Sequence, residues 1–324
     1  MNNLRKIAEM CNTSACFRGK ILYNEPMSEH TTFKIGGPAD VFIEPADEQS
    51  LIFVLKEAAS FGVPLFILGG GSNLVVSDKG IEGCTLCTAS LKNIGFDGSV
   101  LHCGSGCTFE ELLAFCRINS LGGLESFAGL PGSVGGAVYM NARCYETSIS
   151  DVLVSADYLF AGKSGTSAAG GTACKAEQLH YAMRKEDWEY KKSPFMNMRL
   201  QGLLPLILCA SFKVYAEEPA RIAQKCGGFI QSREQKGHFR YPSAGSVFKN
   251  NRAFGKPSGQ IIDEAGLRGL RIGDAQVAPW HGNFIVNLNR ASADNIKELV
   301  EQIQHEVKRK TDFELECEII FCGR

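Results

Sequence analysis

A chain of 324 residues, 44% hydrophobic and 21% charged, holds enough apolar material for two or three buried cores. Its 34 Lys and Arg balance 35 Asp and Glu, which excludes the basic surplus of a general nucleic-acid binder. Residues 1–13 carry no apolar run of signal-peptide length and the longest apolar stretch, 203–212, is too short for a bilayer, so a cytoplasmic protein without a membrane partner is expected.

In chain order, residues 1–28 read as a short helix and a connector. A strand over 41–44 precedes Asp47, a good N-cap for a helix reaching about Phe61 with Leu51, Val54, Leu55 and Ala58 on one face. The buried-strand run 64–68 ends in Gly69-Gly-Gly-Ser-Asn73 and resumes over 74–77. Such a bare turn is either a corner or a nest of amides for a diphosphate. Strands follow over 83–89 and 99–104. Thirteen cysteines, an odd count with no secretion signal, argue for buried thiols over disulfides. Cys84-Thr-Leu-Cys87 has metal-ligand spacing, but no second pair completes a site, so no metal is expected. Thr108 caps a helix that Gly122-Gly123 stops.

The segment Gly129-Leu-Pro-Gly-Ser-Val-Gly-Gly-Ala-Val-Tyr-Met-Asn141 places four glycines in eight residues ahead of a helix-compatible stretch, 137–140. It suits close approach of backbone N–H groups to an anion, or tight packing of two elements. Neither glycine segment is a P-loop or a G-x-G-x-x-G fingerprint, so a dinucleotide cofactor outside a Rossmann fold is expected. A strand over 152–160 follows, and the small, polar 162–171 reads as a hairpin connection or insertion. A helix over 219–236 leads to Tyr241-Pro-Ser-Ala-Gly-Ser-Val-Phe248, which lacks the G-x-S-x-G of a serine hydrolase. A short helix over 259–267, strands over 271–277 and 283–288, and a long helix capped by Ser292 complete an α+β region; His281 reads as structural. In the strand-like 313–321, alternation sets Glu314, Glu316 and Glu318 on one face, as on a solvated edge.

Five segments occur in order: Thr32-Phe-Lys-Ile-Gly-Gly-Pro-Ala-Asp40, Leu68-Gly-Gly-Gly-Ser-Asn-Leu74, the 129–142 segment, Tyr241-Pro-Ser-Ala-Gly-Ser-Val-Phe-Lys-Asn250 and Leu315-Glu-Cys-Glu-Ile319. Together they resemble the UDP-N-acetylenolpyruvoylglucosamine reductase family, flavoenzymes of bacterial peptidoglycan precursor synthesis, over about residues 30–322. The resemblance implies an α+β fold: an N-terminal extension (1–28), an FAD-binding region of the vanillyl-alcohol-oxidase type (29–214, in subdomains 29–77 and 78–214) and a substrate-binding domain (215–324). It implies non-covalent FAD held by Gly69, Gly70, Gly71, Ser72, Asn73, Leu74, Gly129, Pro131, Gly132, Ser133, Gly135, Gly136 and Ala137, with NADPH as hydride donor and a UDP-sugar as substrate. Ser246 takes the place of the proton donor, Glu318 that of the C-terminal carboxyl group, and Tyr241, Lys249 and Asn250 those of substrate-binding residues.

One position departs from the family. Its Tyr-Arg-x-Ser-x-Phe motif aligns with Tyr190-Lys-Lys-Ser-Pro-Phe195, placing Lys191 where the Arg stands; Lys keeps the charge and loses the planar fork. The alternative is that Arg143 or Arg184 substitutes. Another FAD oxidoreductase of the same fold, acting on an alcohol or sugar and attaching flavin through a residue such as Cys144, is the competing activity, followed by a non-catalytic nucleotide-binding homologue.

Overall fold

The computed structural model describes residues 3–163 and 178–324, so the expected connection over 162–171 lies, from residue 164 on, outside the described residues. The chain forms two compact units. The first comprises Met1–Glu25, Ala39–Gly70 and Glu82–Ile230; the second comprises Pro26–Pro38, Gly71–Ile81 and Gln231–Arg324. This division differs from boundaries at 28 and 214. Two short N-terminal segments join the second unit because Leu74–Val76 pairs in parallel with Ile320–Cys322, and Phe33 and Ile35 enter that unit's core.

In the first unit, a four-stranded sheet runs in the order Gly19–Pro26, Pro38–Pro45, Ile81–Cys87, Leu65–Leu68. Helices α1 (Asn3–Thr13) and α2 (Glu48–Phe61) supply Ile7, Leu51, Val54 and Leu55 to its core. Asp47 caps α2 by accepting the Ser50 N–H, and Gly62 closes it in the left-handed conformation. The second sheet is antiparallel, in the order Leu179–Ala182, Leu153–Lys163, Leu203–Lys213, Val100–Gly104, Ile94–Phe96. It packs with α3 (Phe109–Ile118), α4 (Val134–Tyr139), α5 (Ile149–Val152) and α6 (Pro194–Leu200) around Phe109, Phe127, Phe195 and Phe212. The apolar stretch over 203–212 is therefore the central strand of this sheet. Thr108 and Glu111 form a reciprocal capping box on α3. The strand pair at 65–68 and 74–76 is no hairpin: the first lies parallel to Ile81–Cys87, the second belongs to the other unit.

Helix α7 (Pro219–Gln235) carries the chain into the second unit. There, Arg271–Ile272, Ala275–Val277 and Ile285–Asn287 form a three-stranded antiparallel sheet with α8 (Ser258–Glu264) and α9 (Ala293–Thr311). The single strand expected over 271–277 is instead a hairpin, turned at Gly273 with φ 55°. The strand expected over 313–321 is reduced to Ile320–Cys322, preceded by an isolated bridge at Cys317. Among the described residues no two cysteines form a disulfide, and no group of His, Cys, Asp and Glu is placed to hold a metal ion. Burial pushes the Cys87 thiol up to about 11 and the Cys11 thiol up to about 12, as expected of core residues.

Candidate functional site

In the first unit the two glycine segments meet. Ser133 N-caps α4, its Oγ accepting the N–H of Gly136 (3.3 Å) and that of Gly70 (3.2 Å). Helix α4 thus starts three residues before the expected 137, because Ser133 is a better cap than the glycines after it. A Cβ on Gly70 would lie 2.4 Å from the Gly132 Cα and 2.6 Å from the Ser133 nitrogen, and one on Gly69 would lie 2.7 Å from Ser133 Oγ. Gly135 is equally closed, its Cβ position 2.6 Å from that of Ser105, whereas Gly129 and Gly132 are required by φ of 72° and 97°. Ala137 is buried and Pro131 exposed. Glu125, 6% exposed, holds the approach to this segment: it accepts the Gly123 N–H at 2.8 Å, with Lys225 3.4 Å away. Sequence reading missed that pair because 100 residues separate its members.

The backbone N–H groups of Gly132 and Ser133 find no acceptor among the described residues; in the second unit the same holds for Gly71 and Ser72. Gly71 and Ser133 are buried, where an unmade hydrogen bond costs about 1–3 kcal/mol. Donors left over on glycine-rich backbone fit the oxygens of a diphosphate, so the residues present suit the FAD that the sequence motifs imply.

Beyond α4 lies the turn that carries Lys191. Glu189 and Lys192 exchange backbone bonds (3.3 and 3.1 Å) around Tyr190 and Lys191, and Lys191 adopts φ 56°. A non-glycine residue in this left-handed region costs about 1–2 kcal/mol, so the turn retains a side chain at a position that favours glycine. Three neighbouring cations have carboxylate partners: Lys192 with Glu189 (2.8 Å), Arg143 with Glu146 (3.1 Å) and Arg184 with Asp187 (3.0 Å). Arg143 also reaches Ser148 Oγ and braces the hairpin over 143–148, which counts against its standing in for the family Arg. Cys144, in the same hairpin, is 4% exposed.

In the second unit, the Tyr241–Asn250 loop is bound on both sides. The Val247 N–H donates to Asn283 O (2.9 Å), and the Asn283 side chain exchanges bonds of 2.8 Å with the backbone of Phe248. On the other side the Glu318 N–H donates to Val247 O (2.7 Å) and the Lys249 N–H to Glu316 O (2.9 Å). Gly245, with φ 74°, turns the chain into this position, and Thr32 Oγ1 holds the Ser243 carbonyl (2.7 Å). Ser246 and Glu318, both half-buried, therefore lie on neighbouring segments. Asn73 serves this arrangement as well: its side-chain amide donates to Glu318 O (2.9 Å), and its own carbonyl accepts the Ile320 N–H (2.9 Å). The sequence motif places Asn73 with the cofactor residues and carries no sign of this second role. Leu74 opens the strand paired with Ile320.

The remaining predicted substrate residues are partly engaged. Lys249 pairs with exposed Glu316 (2.5 Å), Asn250 Oδ1 accepts the Ser258 N–H at the start of α8 (2.9 Å), and exposed Tyr241 stacks on Trp280 with ring centres 6.0 Å apart. Glu314 pairs with Lys308, leaving Glu318 as the half-buried member of the three glutamates. His281 packs on Phe284 (4.6 Å) and caps the Asn283 N–H, a structural placement. Burial lowers its pKa, and that of its neighbour His238 to about 4.

Residues 235–322 match the family described as UDP-N-acetylenolpyruvoylglucosamine reductase, C-terminal domain, and residues 39–166 match the FAD binding domain family. The chain is 44% identical to the UDP-N-acetylenolpyruvoylglucosamine reductase of Treponema denticola, over 100% of this chain and 99% of that one. The chain belongs to the UDP-N-acetylenolpyruvoylglucosamine reductase family. A second member, from Borreliella burgdorferi, is 39% identical over 92% of this chain and 93% of its own. The crystal structure of the reductase from Thermus caldophilus superposes with a TM-score of 0.73 at 28% identity, covering 94% of this chain and 99% of that one. The α+β class is observed, and the match over residues 39–166 agrees with the FAD-binding region that the motifs imply.

Proposed function

We propose that this reductase converts UDP-N-acetylglucosamine enolpyruvate to UDP-N-acetylmuramate, a step of peptidoglycan precursor synthesis, with FAD as cofactor and NADPH as hydride donor. The assignment of roles is supported by the clamping of 245–248 between 283–284 and 316–318, with Ser246 and Glu318 on neighbouring segments.

The backbone of Gly69, Gly70, Gly71, Ser72, Asn73 and Leu74, with that of Gly129, Pro131, Gly132, Ser133, Gly135, Gly136 and Ala137, would hold the FAD. When bound, FAD supplies the hydride, received from NADPH, to C3 of the enolpyruvyl group. Negative charge then develops at C2 and on the adjoining carboxylate. Lys191 stabilises it as a point charge. The Ser246 hydroxyl delivers its proton to C2, a task a weak acid performs only where it is held rigidly, as the two-sided clamp on Val247 and Phe248 provides. Glu318 shares a proton at the substrate carboxylate. Tyr241, Lys249 and Asn250 hold the nucleotide end; Lys249 then exchanges its exposed Glu316 partner for phosphate. The soluble nucleotide substrates place the reaction in the cytoplasm, and loss of the product would disturb cell-wall growth, shape and division.

The competing alcohol or sugar oxidation is not favoured: Cys144, the nearby thiol for covalent flavin, is buried in a hairpin. Turnover in D2O tests the assignment. UDP-N-acetylmuramate carrying solvent deuterium at C2 is expected, and no product from the enolpyruvyl substrate would reject it.

A further inference from the structure

The first unit contains a fastening between the glycine-rich helix and the Lys191 turn that no role above uses. Asn141, 2% exposed and with φ 43°, follows the closing turn of α4, where its own N–H donates to Val138 O (3.2 Å). Asn tolerates this left-handed conformation better than most side chains do. Its Nδ2 donates to Glu189 O (2.8 Å) and its Oδ1 accepts the Ser150 N–H (3.1 Å). Glu189 is the residue that opens the Lys191 turn. At the far end of that turn, buried Ser193 donates from Oγ to Tyr139 O (2.5 Å) while capping α6 through the Met196 N–H (3.2 Å). Tyr139 is the last residue of α4. Both ends of the turn are thus tied to the end of the helix that Ser133 begins.

We propose that Asn141 is a positioning residue for the reductase: its side-chain amide fixes the Lys191 turn to the glycine-loop helix, so the segment that binds the cofactor also sets where the carboxylate-binding cation starts. The inference rests on the reading of Lys191 as that cation. A guanidinium orients itself through two parallel bonds, but an ammonium on a four-carbon stem has no such fork, so its location depends on where its backbone is held. Asn141 controls the backbone of Glu189, two residues from Lys191, without approaching the substrate role itself.

Asn141→Asp isolates the bond. The carboxylate still accepts the Ser150 N–H and still tolerates the left-handed φ, but it has no N–H for the Glu189 carbonyl. The purified holoenzyme is expected to keep its FAD content and its rate of flavin reduction by NADPH. Its reoxidation by the enolpyruvyl substrate should slow about tenfold, as loss of one well-made buried hydrogen bond implies. Lys191→Ala/Asn141→Asp should then be no slower than Lys191→Ala. If Lys191→Ala is slow while Asn141→Asp is normal, or if the two losses multiply in the double variant, the positioning role is overturned and the Lys191 assignment stands. If Lys191→Ala itself reoxidises normally, the carboxylate assignment falls and this inference falls with it. Should the Asp charge beside the Glu189 carbonyl prevent folding, Asn141→Ala removes the same bond without charge and is read by the same rates.

Discussion

At the scale of single residues, the groups that react are distinct from the groups that place them. Ser246→Ala should leave FAD binding and NADPH-driven flavin bleaching intact and slow reoxidation by the enolpyruvyl substrate by about 10²–10⁴, the usual contribution of a positioned acid. Stopped-flow absorbance of the flavin measures both steps separately. Lys191→Arg should retain more of the reoxidation rate than Lys191→Ala, since charge is kept. Gly70→Ala should act on the cofactor instead: with a Cβ 2.4 Å from the Gly132 Cα, the two glycine segments must part, and the purified protein should carry less FAD than the wild type. What was legible at this scale followed from motifs. Ser246 and Glu318 stand in recognisable segments, and the clamp that holds them does not, because Asn73, Asn283 and Thr32 act on backbone groups far away in sequence. The sequence motif made Asn73 a cofactor residue; the fold also uses its amide on the Glu318 carbonyl.

At the scale of elements, capped helices were read closely and short strands were not. Asp47, Thr108 and Ser292 each carry a side-chain oxygen at a helix start, a local signal that survives folding. The Ser193-Pro194 pair has the same form, cap followed by proline in the first turn, and could have announced α6. Strands such as Ile320–Cys322 exist only through their partner, here Leu74–Val76, so alternation alone overextended them to 313–321. A pH effect belongs to this scale. His238, following α7, stacks on Phe284 (4.7 Å), the residue bridged to Ser246, and burial lowers its pKa to about 4 from the ordinary 6.5. The unfolded chain therefore binds a proton between those values that the folded chain refuses, so its contribution is fully present above about 6.5 and is lost as pH falls toward about 4. His281 is lowered in the same direction, so His238→Phe should weaken the slope of Tm against pH over that window without abolishing it. An unchanged slope would mean that His238 is protonated in the folded protein.

At the scale of the whole molecule, composition and the ordered motifs indicated a multi-part α+β flavoprotein, yet linear boundaries at 28 and 214 could not show that Pro26–Pro38 and Gly71–Ile81 fold with Gln231–Arg324. Those segments are recruited by long-range contacts: Phe33 and Val75 in the core with Val247 and Leu299, and the parallel pairing with 320–322. Because FAD would occupy the folded state alone, its presence at a hundred times the dissociation constant should add about 2.7 kcal/mol of stability, visible as a higher Tm that Gly70→Ala reduces. The most direct test of the central claim is an anaerobic two-step titration of the purified protein. NADPH should bleach the bound flavin, and UDP-N-acetylglucosamine enolpyruvate should then restore its yellow absorbance stoichiometrically with formation of UDP-N-acetylmuramate. A flavin that NADPH bleaches but the enolpyruvyl substrate leaves colourless, or one bleached by an alcohol or sugar, would contradict the account.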